Sequence, residues 1–160
     1  MIELKLSFIK IQQEGLVSKP PCLLYLTTED NRFFISTGSH NSQNAIALHD
    51  AGVGKFSPYG FIEELINKLN YSAIRIKICP SDDQALMNEA AKVYLCHLDD
   101  VMQENPIIAS TTFENAILLH YLLQIPLYMD DEYGTYLISM DDMSAEVKDA
   151  IEKGLSHIIS

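Results

Sequence analysis

The sequence predicts an α+β fold: a mixed β-sheet with helices packed on it, two related strand–helix units, and an amphipathic helix at the C-terminal end. Three observations carry this. The six residues Asn44-Ala45-Ile46-Ala47-Leu48-His49 return as Asn115-Ala116-Ile117-Leu118-Leu119-His120. Each copy follows a short apolar run ending in Ser or Thr (33–37 and 107–112), which reads as strand, polar turn, buried helix. Around these units, alternating apolar and polar residues mark further strands.

Ile2, Leu4, Leu6 and Phe8 alternate with Glu3, Lys5 and Ser7, the pattern of a half-buried strand. Phe8-Ile9 changes the phase, which a bulge or burial on both faces explains. Gly15 and Pro20-Pro21 mark a loop. Residues 22–26 and 33–36 form a predicted hairpin about the turn Glu29-Asp30-Asn31. The first repeated helix is expected over 42–51, stopped by Gly52 and Gly54. Pro58 opens a second helix, with a stripe of Phe61, Ile62, Leu65, Ile66 and Leu69 at helical spacing.

Ile74, Ile76 and Ile78 alternate with Arg75 and Lys77 in a strand closed by Pro80. Residues 81–91 are compatible with a short helix or with a loop running into a strand. Residues 92–98 read as a strand and 99–105 as a turn. The second repeated helix has no polar face over Ile117–Leu123, so it should be enclosed on most sides. Pro126 ends it before a short strand at 127–129. A turn at 130–134 and a strand near 135–139 follow. Ser144 caps a terminal helix, with Glu146 in its first turn and Val147, Ile151, Leu155 and Ile158 on one face.

At 160 residues the chain is expected to form one domain, long enough to bury about 70 % of its unfolded surface. It contains no 18-residue apolar run, so no membrane span is expected. The N-terminal segment carries Glu3 and Lys5 and lacks a cleavage pattern for a signal peptide. Cys22, Cys79 and Cys96 are odd in number and widely spaced, as buried thiols of a reducing compartment are, which points to the cytoplasm. Asp and Glu number 22 against 11 Lys and Arg, a formal net charge of −11. Such a chain is repelled on average by nucleic acid and by anionic membrane. Its basic residues are scattered, with no basic patch visible in the sequence.

The succession of hairpin, SHNSQNAIALH, FIEELINKL, IRIKI, KVYLCHL and IIASTTFENAILLHYLLQIPLYMDD resembles the bifunctional nuclease domain family. The resemblance covers residues 1–132, leaving 133–160 as a C-terminal strand and helix on the same domain. It implies an α+β domain, often a homodimer, with nuclease activity on DNA and RNA in some members. Members of that family usually read Asp-x-Arg-Pro-Ser-Asp-Ala-Ile at the second repeat. Here Ser110 stands at the first Asp, Thr112 at the Arg, Phe113 at the Pro, and Glu114-Asn115 at the Ser-Asp pair. The later acid is kept as Asp131. The entrance to the second helix, often Thr-His-Asp in the family, is Pro58-Tyr59-Gly60.

The resemblance therefore implies a site built near Ser110, Thr112, Glu114, Asn115 and Asp131, with Asp130 and Asp131 as ligands for Mg²⁺ or Mn²⁺. Phosphodiester hydrolysis needs a positioned base, a charge sink, or a metal held by carboxylates. The replaced Arg and Asp residues are the groups suited to those tasks. A second expectation, from a different class, is thus a non-catalytic interaction or regulatory module that keeps the fold.

Other candidates divide between chemistry and structure. Asp82-Asp83, Asp99-Asp100, Asp130-Asp131 and Asp141-Asp142 could hold a cation, but all fall at predicted turns, where Asp bonds the backbone. His49 and His120 occupy equivalent places in the two copies. They would face one cleft as base or ligands, or each would be a hydrogen-bonded histidine near a helix end. Gly52-x-Gly54-Lys55 lacks P-loop spacing and reads as a helix stop. Tyr121, Tyr128, Tyr133 and Tyr136, without basic partners, read as packing or interface residues.

Overall fold

The first strand, β1 (Ile2–Ile11), alternates about a bulge. Leu4, Leu6 and Ile9 enter the main core, while Phe8 points to the other face. The register against β2 (Cys22–Thr27) slips between Leu6 and Phe8, which produces this change of phase. β2 turns into β3 (Arg32–Gly38) through Asn31, whose positive φ of 61° suits an Asn. The predicted hairpin is present, with Leu24 opposite Ser36. The computed structural model describes residues 1–11, 21–80, 91–152 and 158–159. The predicted loop around Gly15, residues 81–90 of the ambiguous segment 81–91 and the acid pair Asp82-Asp83 lie outside these, while Ala91 opens a strand.

Helix α1 spans His40–Asp50 and α2 spans Pro58–Lys68, followed by β4 (Tyr71–Ile78) and β5 (Ala91–His97). Next come β6 (Ile107–Thr111), α3 (Phe113–Leu123) and β7 (Leu127–Met129). The chain closes with β8 (Ile138–Ser139), α4 (Ala145–Glu152) and β9 (Ile158–Ile159). The strands form one mixed sheet in the order β6-β5-β4-β7-β1-β2-β3-β8, with β9 paired to β1. β4–β7 and β1–β9 are parallel and the other pairs antiparallel. The fold class is α+β, as expected.

Helices α1, α2 and α3 cover one face of the sheet. α3 lies centrally and contacts α1, α2, β1, β3, β4 and β5. Its Ala116, Ile117 and Leu118 are fully buried against Leu4, Ile76, Ile78 and Leu127. The apolar run without a polar face thus produces the enclosed helix it predicts. α4 covers the other face over β1–β3, where Val147 packs with Phe8, Tyr25 and Phe33. Phe8 and Tyr25 stack with ring centroids 4.4 Å apart.

Several sequence expectations are corrected. α1 begins at His40, two residues before the expected start, because the Ser39 hydroxyl caps it by accepting from the Asn41 N–H. The stripe on α2 is present at helical spacing, but most of it is open to solvent. Phe61 is 64 % exposed, Leu65 47 % and Leu69 59 %, while Ile62 turns inward. The expected strand at 135–139 shrinks to Ile138–Ser139, because residues 131–136 wind into a 3-10 turn. Ser144 does cap the terminal helix, whose described part is Ala145–Glu152, but Ile158 belongs to β9 and not to that helix. Leu155 lies outside the described residues. Cys22 and Cys96 are buried free thiols, whereas Cys79 is only half-buried.

Leu118→Ala should cost about 2–5 kcal/mol of unfolding free energy, because a void would open under a fully buried helix. Urea denaturation measures this. A cost well under 1 kcal/mol would place α3 outside the rigid core.

Candidate functional site

The two repeated helices start side by side, and one carboxylate joins them. Thr112 caps α3 by accepting from the Asn115 N–H at 3.2 Å. This places Glu114 in the first turn, facing the start of α1. Its Oε1 accepts from the Ser39 N–H at 2.8 Å, the Ser39 hydroxyl at 2.5 Å and the Ser42 hydroxyl at 2.5 Å. Burial pushes the Glu114 carboxyl up, but the bonds from Ser39 and Ser42 outweigh it and hold the group below the usual glutamate range. A depressed carboxyl stabilises the fold above the ordinary glutamate value, and that stability is lost as pH falls through the lowered one.

The same charge acts on its neighbours. Burial, then the Glu114 charge, raises the Cys22 thiol to about 11, so it is no nucleophile at neutral pH. Burial and Glu114 also raise the Tyr59 phenol. That phenol donates to the Asn115 Oδ1 at 3.0 Å, tying α2 to α3.

Beside this cluster lies a half-open cleft of about 460 Å³ between α1, α2, α3 and β6. Asn44 and Asn115, the equivalent residues of the two copies, both line it, with Asn41, Tyr59, Ile62 and Thr111. None of its lining residues is charged. Amides donate and accept hydrogen bonds, but they supply neither a base nor a charge sink.

The other expected site residues lie elsewhere. Ser110 sits opposite Lys92 on β5, on the sheet face turned away from the helices, whereas Thr111 and Thr112 turn toward Asn115. Asp131 is 80 % exposed at its side chain and pairs with the N-terminal amine at 3.2 Å. Asp130 pairs with Lys77 at 3.0 Å. The site residues named from sequence thus fall into two groups: Thr112, Glu114 and Asn115 together, and Ser110, Asp130 and Asp131 apart from them in their contacts. Among the described residues, no group of three His, Cys, Asp or Glu side chains is placed to hold a metal ion. Asp99-Asp100 and Asp141-Asp142 sit at turns; Asp100 accepts from the Glu104 and Asn105 N–H groups, and Asp142 from the Ser139 hydroxyl.

His49 and His120 do not share a cleft. His120 is wedged between α3 and the sheet. Its Nε2 accepts from the Leu6 N–H at 3.3 Å, and so Nδ1 carries the proton toward the Ile125 carbonyl at 2.6 Å. Burial holds its pKa below the ordinary value. His49 instead packs edge-on against Tyr121, with ring centroids 5.4 Å apart. Burial and the bond to Asp50 raise the Tyr121 phenol to about 12. The basic residues of the central strands gather away from the cleft. Arg75 lies on the Tyr94 ring at 4.4 Å, and Lys77 stands opposite Lys92.

Comparison with known proteins adds no assignment. No protein-family model matches the chain, and no curated protein matches it.

Sequence reasoning missed Ser39, Ser42, Tyr59, Asn41 and Asn44. For Asn44 the signal was present, since it occupies the place of Asn115 in the first copy. Ser39 carries the local signal of a helix cap, but the bonds that bring Ser39, Ser42 and Tyr59 into the site carry none, because their partner Glu114 or Asn115 lies 56 to 75 positions away.

His120→Phe should destabilise the fold by about 1–3 kcal/mol for each buried backbone group left without a partner. The pH dependence should change too. Because the folded pKa is depressed, the native histidine contributes full stability above the ordinary value of 6.5, lost as pH falls toward the lowered folded value. Denaturation midpoints across this window should slope for the wild type and flatten for the variant. Equal slopes would mean that His120 is not held neutral.

Proposed function

We propose that the chain is a non-catalytic relative of the bifunctional nuclease domain family, retained as an interaction or regulatory module. The observation that carries this is the occupation of Glu114, whose carboxylate oxygen already accepts three hydrogen bonds from the start of α1. A carboxylate so engaged is a clamp between helices and a poor general base. Thr112 is spent on a helix cap and Asn115 on Tyr59, so the positions that carry charge in the family carry structure here. The uncharged cleft beside them offers phosphate no cation.

The net charge of −11 weighs against nucleic acid as a partner. Among the described residues no helix is long and apolar enough to cross a membrane. A cytoplasmic homodimer is the form that fits the free thiols and the family resemblance.

The test is incubation of the purified protein with single-stranded RNA and with duplex DNA, in Mg²⁺, in Mn²⁺ and in EDTA, beside the Asn115→Ala/Asp131→Ala variant. Both proteins should leave both substrates intact. Metal-dependent cutting by the wild type that the variant loses would overturn the proposal. The Ser110, Thr112, Glu114, Asn115 and Asp131 positions would then support hydrolysis despite their altered chemistry.

A further inference from the structure

The basic residues are scattered along the sequence, yet the sheet brings three of them together. Ile76 and Ile78 of β4 point into the core under α3, so Arg75 and Lys77 point to the opposite face. The antiparallel register sets Lys92 of β5 directly opposite Lys77, and Tyr94 opposite Arg75. Ser110 of β6 stands opposite Lys92, and Tyr128 of β7 opposite Lys77. One row of side chains, Ser110, Lys92, Lys77 and Tyr128, thus crosses four strands, with Arg75 and Tyr94 beside it. Lys92 and Ser110 are exposed, so solvent reaches this row from the β6 side.

The charges in this group are not balanced. Like charges directly opposite each other weaken a sheet. The chain has 22 acids against 11 bases, so carboxylates are plentiful. Among the described residues, however, only Asp130 forms an ion pair with the three cations, to Lys77 at 3.0 Å. Arg75 lies on the Tyr94 ring, 4.4 Å from its centre, and its Nε is buried without a hydrogen-bond partner among the described residues. A buried donor left in this way is uncommon and calls for an acceptor. Diagonal neighbours across a strand pair lie about 7–8 Å apart, within reach of long side chains. Arg75 and Lys92 are such neighbours, so both can close on one small anion over the sheet, with the Ser110 hydroxyl as a further donor.

We infer that this face binds the phosphate group of a small phosphorylated molecule, held by Arg75, Lys92 and the Ser110 hydroxyl with Lys77 beside them. Charge selects phosphate. Two cations without a carboxylate match the charge of roughly −1.5 to −2 on a phosphate monoester at neutral pH, whereas a carboxylate brings only one negative charge. The surroundings select a small molecule over a nucleic acid strand. Beyond Tyr128 the row continues to Glu3, and Asp100 lies beside Cys96, the residue after Tyr94 on this face of β5. A run of phosphates crossing the face meets these carboxylates, and a single phosphate does not. The site lies across the sheet from Glu114 and the uncharged cleft, so the inference stands independently of the non-catalytic reading.

The test is calorimetric titration of the purified protein with phenyl phosphate at low ionic strength. The wild type should bind it saturably at one site per chain. Lys92→Met should weaken binding by about tenfold or more, the loss of one charge-assisted hydrogen bond. Lys68→Met, which removes an exposed lysine of α2, should leave binding unchanged. Without ligand, Lys92→Met should also raise the urea midpoint, since Lys77 then faces no like charge, and this shows the variant to be folded. A lowered midpoint would contradict the repulsion on which the inference rests. Absent binding by the wild type, unchanged affinity in Lys92→Met, or equal weakening by Lys68→Met would overturn the site. Benzoate bound as tightly as phenyl phosphate would overturn the phosphate class. A single-stranded oligonucleotide bound more tightly than phenyl phosphate, and lost in Lys92→Met, would make the face a nucleic-acid surface and overturn the small molecule.

Discussion

The site depends on the carboxylate of Glu114. A helix start leaves backbone donors without partners, and a negative charge is favoured there. α1 has no acidic residue of its own in its first turn. Glu114 supplies one from another helix, about 70 positions along the chain, and so fixes α1 against α3. Because β3 leads into α1 and β6 into α3, the bond ties together the ends of strands on opposite sides of the sheet. The cleft between α1, α2 and α3 exists because their entrances are held in this way, with the Tyr59–Asn115 bond as the third tie.

Much of this fold was legible in the sequence. Ile117, Leu118 and Leu119 leave α3 no polar face, and it is the enclosed centre of the helix layer. The alternation at Ile74–Ile78 and the phase change at Phe8 likewise correspond to a strand and a bulge. These are local signals, set by periods of 3.6 and 2. Phe61, Leu65 and Leu69 show the limit of the method. Helical spacing shows that they share a face, but not what lies opposite, and here that face is open to solvent. Residues 131–136 show another limit. A short polar stretch next to a paired strand adopts a tight turn as readily as an extended form.

The candidate site was less legible. The motif grouped Ser110 with Thr112, Glu114 and Asn115, whereas the structure brings the last three together without it. In a strand successive side chains alternate faces, so Ser110 and Thr111 point oppositely, and Ser110 goes with Lys92. Of the two readings of the histidine pair, the shared cleft is absent and His120 is the hydrogen-bonded histidine near a helix end. Similar places in two copies do not give similar surroundings, because His120 meets the Leu6 N–H beside the bulge in β1 whereas His49 meets Tyr121. Both positions became understandable only through partners distant in the chain.

The account stands or falls on whether Glu114 works as a structural clamp. A double-mutant cycle between Glu114→Ala and Ser42→Ala, read by urea denaturation, measures this most directly. The two groups share a hydrogen bond at 2.5 Å, so their effects should be strongly non-additive, with a coupling of about 0.5–3 kcal/mol. Additive effects, with Glu114→Ala nearly neutral, would show the carboxylate to be free of α1 and available for chemistry, contradicting the account.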